Sequence, residues 1–178
     1  REAWQLFQVA MNIERKRNDI VFLVVGSGPL LEEMKATKAR VGSTSRAIFA
    51  GVVDHHLVPI YMNAADVYVY DVTQVSSLEI DKQGLCPTKV LEAMACGMPV
   101  IVPKEPELQA MLRKSNGGFS ASSLEEVEFF IESFADSADL ARSTGMNARR
   151  YVELNHDLTC LTGLTVELIG EVVSSRKS

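Results

Sequence analysis

The residues best suited to chemistry in this 178-residue chain lie between Gly84 and Val100. Gly84, Leu85, Cys86 and Pro87 come first, Thr88 and Lys89 follow, and Glu92 stands in an otherwise apolar stretch that Gly97 closes. Proline fits the first position of a helix, where its missing N–H costs nothing. Glycine fits the position just past the end. The spacing therefore predicts a short helix over 87–96, stopping at a glycine and running straight into a strand. The start of such a helix offers free amides and a partial positive charge, which is what a phosphate needs, and Lys89 is within reach of that phosphate. One turn further in, the two oxygens of Glu92 can accept from two hydroxyls of a ribose. The arrangement suits a nucleotide diphosphate. On residue types alone, Glu92 and Lys89 serve equally well as solvated helix charges.

The elements that must position this helix are legible on both sides of it. Ile20 to Val25 is a continuous apolar run, the mark of a strand buried on both faces in a parallel sheet. Similar short runs predict strands near 47–52, 67–70 and 99–102, with a turn and a small strand at 117–119. Between them fall helical periods over 2–16, 30–40, 55–64 and 107–114, with Asp54 the expected cap of the third. Helices over 123–135, 137–154 and 158–175 complete the chain. Strands alternating with helices define an α/β fold, a doubly wound parallel sheet with right-handed crossovers and a helical C-terminal end over about 123–178. Residues 71–86 form a long polar loop, and loops of that length inside a domain usually carry function. The loop leaves a strand and delivers the 87–96 helix to the carboxyl edge of the sheet, where ligands of open α/β sheets gather. That order favours the nucleotide reading of Glu92. The apolar stripe of the last helix is expected to pack on its own domain, with docking on a further domain as the alternative.

Composition removes several functions. Hydrophobic residues make up 47% of the chain and charged residues 23%, as in soluble globular domains. A net charge of −5 argues against a nucleic-acid partner bound by phosphate neutralisation. The runs Arg15-Lys16-Arg17 and Arg149-Arg150 read as solvated helix ends. Three cysteines without C-x-x-C spacing indicate reduced thiols in the cytoplasm rather than disulfides or zinc. The three histidines show no metal-ligand spacing. No apolar run approaches the roughly 20 residues of a membrane span, and no signal peptide is visible. The chain opens at Arg1 inside a helical pattern, as a piece of something longer would. Gly26-Ser27-Gly28 follows a strand, but Leu31 occupies the place of the third glycine of a dinucleotide fingerprint. A tight strand-to-helix turn is its first reading and phosphate contact its second. Neither a P-loop nor a G-x-S-x-G elbow occurs.

Three blocks in order carry a family resemblance. Val24-Val25-Gly26-Ser27-Gly28-Pro29-Leu30 resembles the V-G-x-G-P turn of glycosyltransferases with the GT-B fold. Phe49 to Val53, followed by Leu57 to Val67 with Tyr61 and Ala65-Asp66-Val67, is similar to their F-x-G and L-x-x-x-Y-x-x-x-A-D-V segment. Pro87-Thr88-Lys89-Val90-Leu91-Glu92-Ala93-Met94-Ala95-Cys96-Gly97-Met98-Pro99-Val100 resembles the P-T-K-x-x-E-x-M-A-x-G-x-P-V signature. Together they cover about residues 20–103 and resemble the family 4 retaining glycosyltransferases, glycosyltransferase group 1. The resemblance implies a Rossmann-like domain, one half of a GT-B enzyme, that binds a nucleotide-diphosphate sugar. Glu92 matches the carboxylate that holds the ribose. Gly84, Leu85, Cys86, Pro87 and Thr88 match the loop whose amides face the diphosphate and donor sugar. Val52 and Val53 match the residues beside the base, with Gly26 and Gly28 lining the same pocket. The chain departs from the pattern at Gly84, where the family commonly has a second glutamate, and Glu79 and Asp81 of the same loop are the candidate substitutes. The family's diphosphate-clamping basic pair follows a first strand that would precede Arg1.

The expected ligand is a UDP- or GDP-linked sugar, with no cofactor and no metal, and no residue is assigned as catalytic. The acceptor, a sugar or a lipid-linked sugar, would be held by a missing N-terminal domain. Peripheral association with the inner face of the membrane is compatible with lipid acceptors. A sugar-nucleotide epimerase of the same fold is the alternative enzyme, with Glu79, Asp81 or Glu105 as its carboxylate. An inactive nucleotide-sugar-binding module is the other.

Overall fold

The computed structural model describes residues 2–41, 46–70 and 88–175. Five short strands occur among them, β1 (Leu23–Val25), β2 (Ile48–Gly51), β3 (Tyr68–Val69), β4 (Val100–Pro103) and β5 (Gly118–Ala121). The helices are α1 (Glu2–Lys16), α2 (Leu31–Val41), α3 (Val58–Asn63), α4 (Thr88–Ala95), α5 (Pro106–Ser115), α6 (Leu124–Asp136), α7 (Ala138–Asn155) and α8 (Leu158–Ser175), with a 3₁₀ turn at His55–Leu57 before α3. All strand pairs are parallel. β1 pairs with β2, placing Leu23 opposite Ile48, and β4 lies between β3 and β5, placing Val100 opposite Tyr68 on one side and Gly118 on the other. The expected α/β parallel sheet flanked by helices is therefore the observed fold.

β4 shows why a continuous apolar run was needed. Val100 and Val102 point into a core with Val90, Ala93 and Met94 of α4, Leu108 and Leu112 of α5, and Ala148 of α7. Ile101 points the other way, toward Val9 and Ile13 of α1 and Val127, Ile131 and Phe134 of α6. Both faces of the strand are covered, so neither tolerates a polar residue. α1 also reaches a third cluster, in which Phe7 packs with Met34, Ala47 and Phe49. It thus lies beneath both the β1–β2 pair and the three-stranded sheet.

Four expectations need correction. The strand expected over 20–25 is regular only from Leu23; ahead of it the Ile20 carbonyl accepts from the Arg46 guanidinium at 3.3 Å. Asp54 stands at the cap position but makes no side-chain cap bond; its carbonyl accepts from the Leu57 N–H at 2.8 Å instead, which starts a tight 3₁₀ turn. The described part of the α8 stripe does not pack on the domain, since Leu168, Ile169 and Val172 are each more than half exposed. Nor is the Arg15–Arg17 run merely solvated: Lys16 pairs with Glu128 at 3.1 Å and Arg17 with Asp136 at 2.5 Å, tying α1 to α6.

Candidate functional site

The expected residues fall into two groups, one at strand ends and one on α4. Past β1, the Gly26 N–H donates to the Gly51 carbonyl at 2.7 Å, and the Leu31 N–H closes the turn onto the Gly28 carbonyl at 3.1 Å. Gly51 holds φ at 71°, a left-handed conformation that glycine adopts without steric cost. The turn at Gly26–Gly28 and the segment Gly51–Val53 therefore emerge side by side at the carboxyl ends of β1 and β2. Val53 is half-buried, whereas Val52 is 76% exposed, an apolar side chain standing in solvent at a strand end.

The second group is on α4. Val90, Ala93 and Met94 anchor one side of this helix in the core, and Thr88 and Lys89 of its first turn are exposed. The helix ends as its sequence requires. Gly97 takes φ of 78°, its N–H donates to the Met94 carbonyl, and the Met98 N–H donates to the Ala93 carbonyl, the paired bonds of a Schellman stop. Glu92 lies on the rim between core and solvent, its side chain 29% exposed, and its Oε2 accepts from Lys89 Nζ at 2.8 Å. Tyr68 of β3 lies close enough to feel this carboxylate. Burial first, then Tyr70 and Glu92, push its hydroxyl up to about 12. One turn beyond, burial raises the Cys96 thiol, with Glu92 adding to the shift and Arg149 of α7 opposing it. Glu92 thus pairs with Lys89 on its own helix, with Tyr68 of β3 near enough to be affected by its charge.

Gly84, Leu85, Cys86 and Pro87 lie outside the described residues, as do Glu79 and Asp81. Glu105 stands just past β4, at the cap of α5, with its N–H donating to the Pro103 carbonyl at 2.8 Å. Tyr68 was not singled out as a site residue, although the alternation Val67-Tyr68-Val69-Tyr70 carries a signal for it, since it turns both tyrosines toward α4. A cleft of about 360 Å³ opens between α1 and α6, lined by Met11, Asn12, Arg15, Leu124 and Glu128, and contains none of these residues. Among the described residues, no group of three His, Cys, Asp or Glu is placed to hold a metal ion, and no helix is long and apolar enough to cross a membrane.

The site thus rests on a parallel sheet with a glycine turn after β1 and a glycine stop on α4. Residues 1–138 match the family model described as glycosyl transferases group 1, and the chain belongs to that family. It is 35% identical over 82 residues to 2-deoxystreptamine glucosyltransferase of Streptomyces kanamyceticus, a match over 46% of this chain and 19% of that protein. Its fold is similar to that of Anabaena HepE in complex with UDP, with a TM-score of 0.73 at 16% identity over 95% of this chain and 46% of the other. It is similar also to the C-terminal domain of a glycosyl transferase group 1 family protein from Francisella tularensis, with a TM-score of 0.69 at 19% identity over 88% of this chain and 80% of that domain. The chain spans less than half the length of the first two of these proteins.

Proposed function

We propose that this chain is the C-terminal, donor-binding half of a family 4 retaining glycosyltransferase, holding a nucleotide-diphosphate sugar while its glycosyl group passes to an acceptor. The observation that carries this reading is the placement of Glu92. It is a carboxylate at the rim of the core, on α4, in a chain that belongs to the group 1 family. Its Oε1 and Oε2 would accept from the two ribose hydroxyls. The residues from Gly84 to Thr88 would face the diphosphate at the start of α4, where free amides and the helix dipole stabilise charge building on the leaving group. Exposed Val52, with Val53 behind it, would lie against the base, and the Gly26–Gly28 turn would line the same pocket. Catalysis in this arrangement is positioning plus electrostatic stabilisation of the leaving diphosphate. The acceptor, a sugar or a lipid-linked sugar, would come from the facing half of such an enzyme.

Isothermal titration with UDP, GDP and their sugars tests the reading. Binding of one diphosphate, tighter for the sugar-linked form, is the expected result, and absence of binding to all of them overturns it. Turnover with an acceptor by an enzyme containing this domain separates a transferase from an epimerase or an inactive module.

A further inference from the structure

Lys89 is placed against the electrostatics of its own helix. A cation in the first turn faces the positive end of the helix dipole. A lysine three residues before a glutamate is also the less favourable order of such a pair. The first turns of α2, α5, α6 and α7 follow the opposite rule, with Glu32 and Glu33, Glu107, Glu125 and Glu126, and Asp139 respectively. α4 has no acid there. The helix dipole therefore does not explain Lys89, and the structure gives it a partner in Glu92: Nζ lies 2.8 Å from Oε2.

We infer that Lys89 is a positioning residue for Glu92, acting through that carboxylate rather than on the ligand's phosphates. The inference rests on the donor-binding reading above. Fixing Oε2 orients the carboxyl plane before a ligand arrives, so less side-chain freedom is lost on binding. Oε1 is left to accept a ribose hydroxyl, and Oε2 retains acceptor capacity for the second.

The test compares UMP, UDP, GMP and GDP on the wild-type chain, Lys89→Met, Lys89→Arg, Glu92→Gln and the Lys89→Met/Glu92→Gln double variant. Lys89→Met is expected to weaken the monophosphate and the diphosphate by the same factor of about two to five, the range of an exposed ion pair. Lys89→Arg should restore most of that loss, and Lys89→Met should add nothing in the Glu92→Gln background. A larger loss for the diphosphate, or an undiminished loss in the Glu92→Gln background, shows Lys89 on the phosphates and overturns the inference. Wild-type affinity in Lys89→Met overturns it equally while leaving the donor reading intact. If the wild-type chain takes up none of the four nucleotides, the donor reading fails and the role of Lys89 falls with it.

Discussion

At the scale of single residues, Glu92 separates function from folding. Its contact with Lys89 is a partly exposed ion pair, worth about 0–1 kcal/mol, so its loss should barely move the thermal midpoint. Two hydrogen bonds from ribose to an ionised acceptor are worth roughly 1.5–3 kcal/mol each. Glu92→Ala should therefore weaken nucleotide-sugar binding by at least tenfold, and Glu92→Gln by less, with both variants melting close to wild type. Calorimetric titration beside thermal unfolding reads the two effects separately. An unfolded Glu92→Ala domain would make the residue structural. Tyr68 gives a pH signature. Its hydroxyl, pushed up to about 12 by burial, keeps its proton in the folded chain to a higher pH than the roughly 10 of an unfolded tyrosine. Its contribution to stability is complete below about pH 10 and is lost as pH rises through 12. Denaturant unfolding from pH 9 to 12 should show a steeper alkaline loss in wild type than in Tyr68→Phe.

At the scale of elements, α4 is held from behind by α7. A Cβ at Gly145 of α7 would lie 2.0 Å from the Gly97 carbonyl oxygen and 3.3 Å from Pro99 Cδ. The helix bearing Glu92 and the turn that ends it thus depend on a glycine far along the chain. Gly145→Ala should cost about 1–3 kcal/mol, as overpacking does, and should weaken nucleotide binding because α4 shifts with its stop. Urea unfolding and titration on the same variant check both halves of this expectation. The start of α6 is fixed by local chemistry. The Ser123 hydroxyl accepts from the Glu126 N–H at 3.2 Å, and Glu126 accepts from the Ser122 N–H at 2.7 Å. Ser123→Ala should cost about 1 kcal/mol in a denaturant titration and leave binding unchanged.

At the scale of the whole molecule, α1 joins what the strand pairing leaves apart. Its Phe7 belongs to the cluster under β1 and β2, and its Ile13, fully buried, to the cluster under β4 and β5. Ile13→Ala should cost about 2–5 kcal/mol. Because one helix serves both clusters, hydrogen exchange should lose protection in both strand groups together. Loss confined to β4 and β5 would show that the two fold as separate units.

Short apolar runs broken by helical periods determined the parallel α/β plan, because a strand covered on both faces has no polar alternation to disguise it. β4 is the clearest case, and Pro99 and Gly97 fixed where it begins. The Gly97 stop and the turn at Gly26–Gly28 were legible for the same reason: local conformation depends on nearby residues. Glu92 was legible as a carboxylate one turn into a capped helix. Tertiary structure decided its company. Tyr68 stands near it only because β3 and α4 pack together, and no spacing within one segment encodes that. It also engaged Lys89 with Glu92, a contact that i,i+3 spacing permits but does not make. The first strand is regular only from Leu23, with Arg46 on the Ile20 carbonyl ahead of it, and the described part of α8 kept its apolar face exposed. Both outcomes turn on atoms distant in sequence, which is where sequence periodicity stops carrying information.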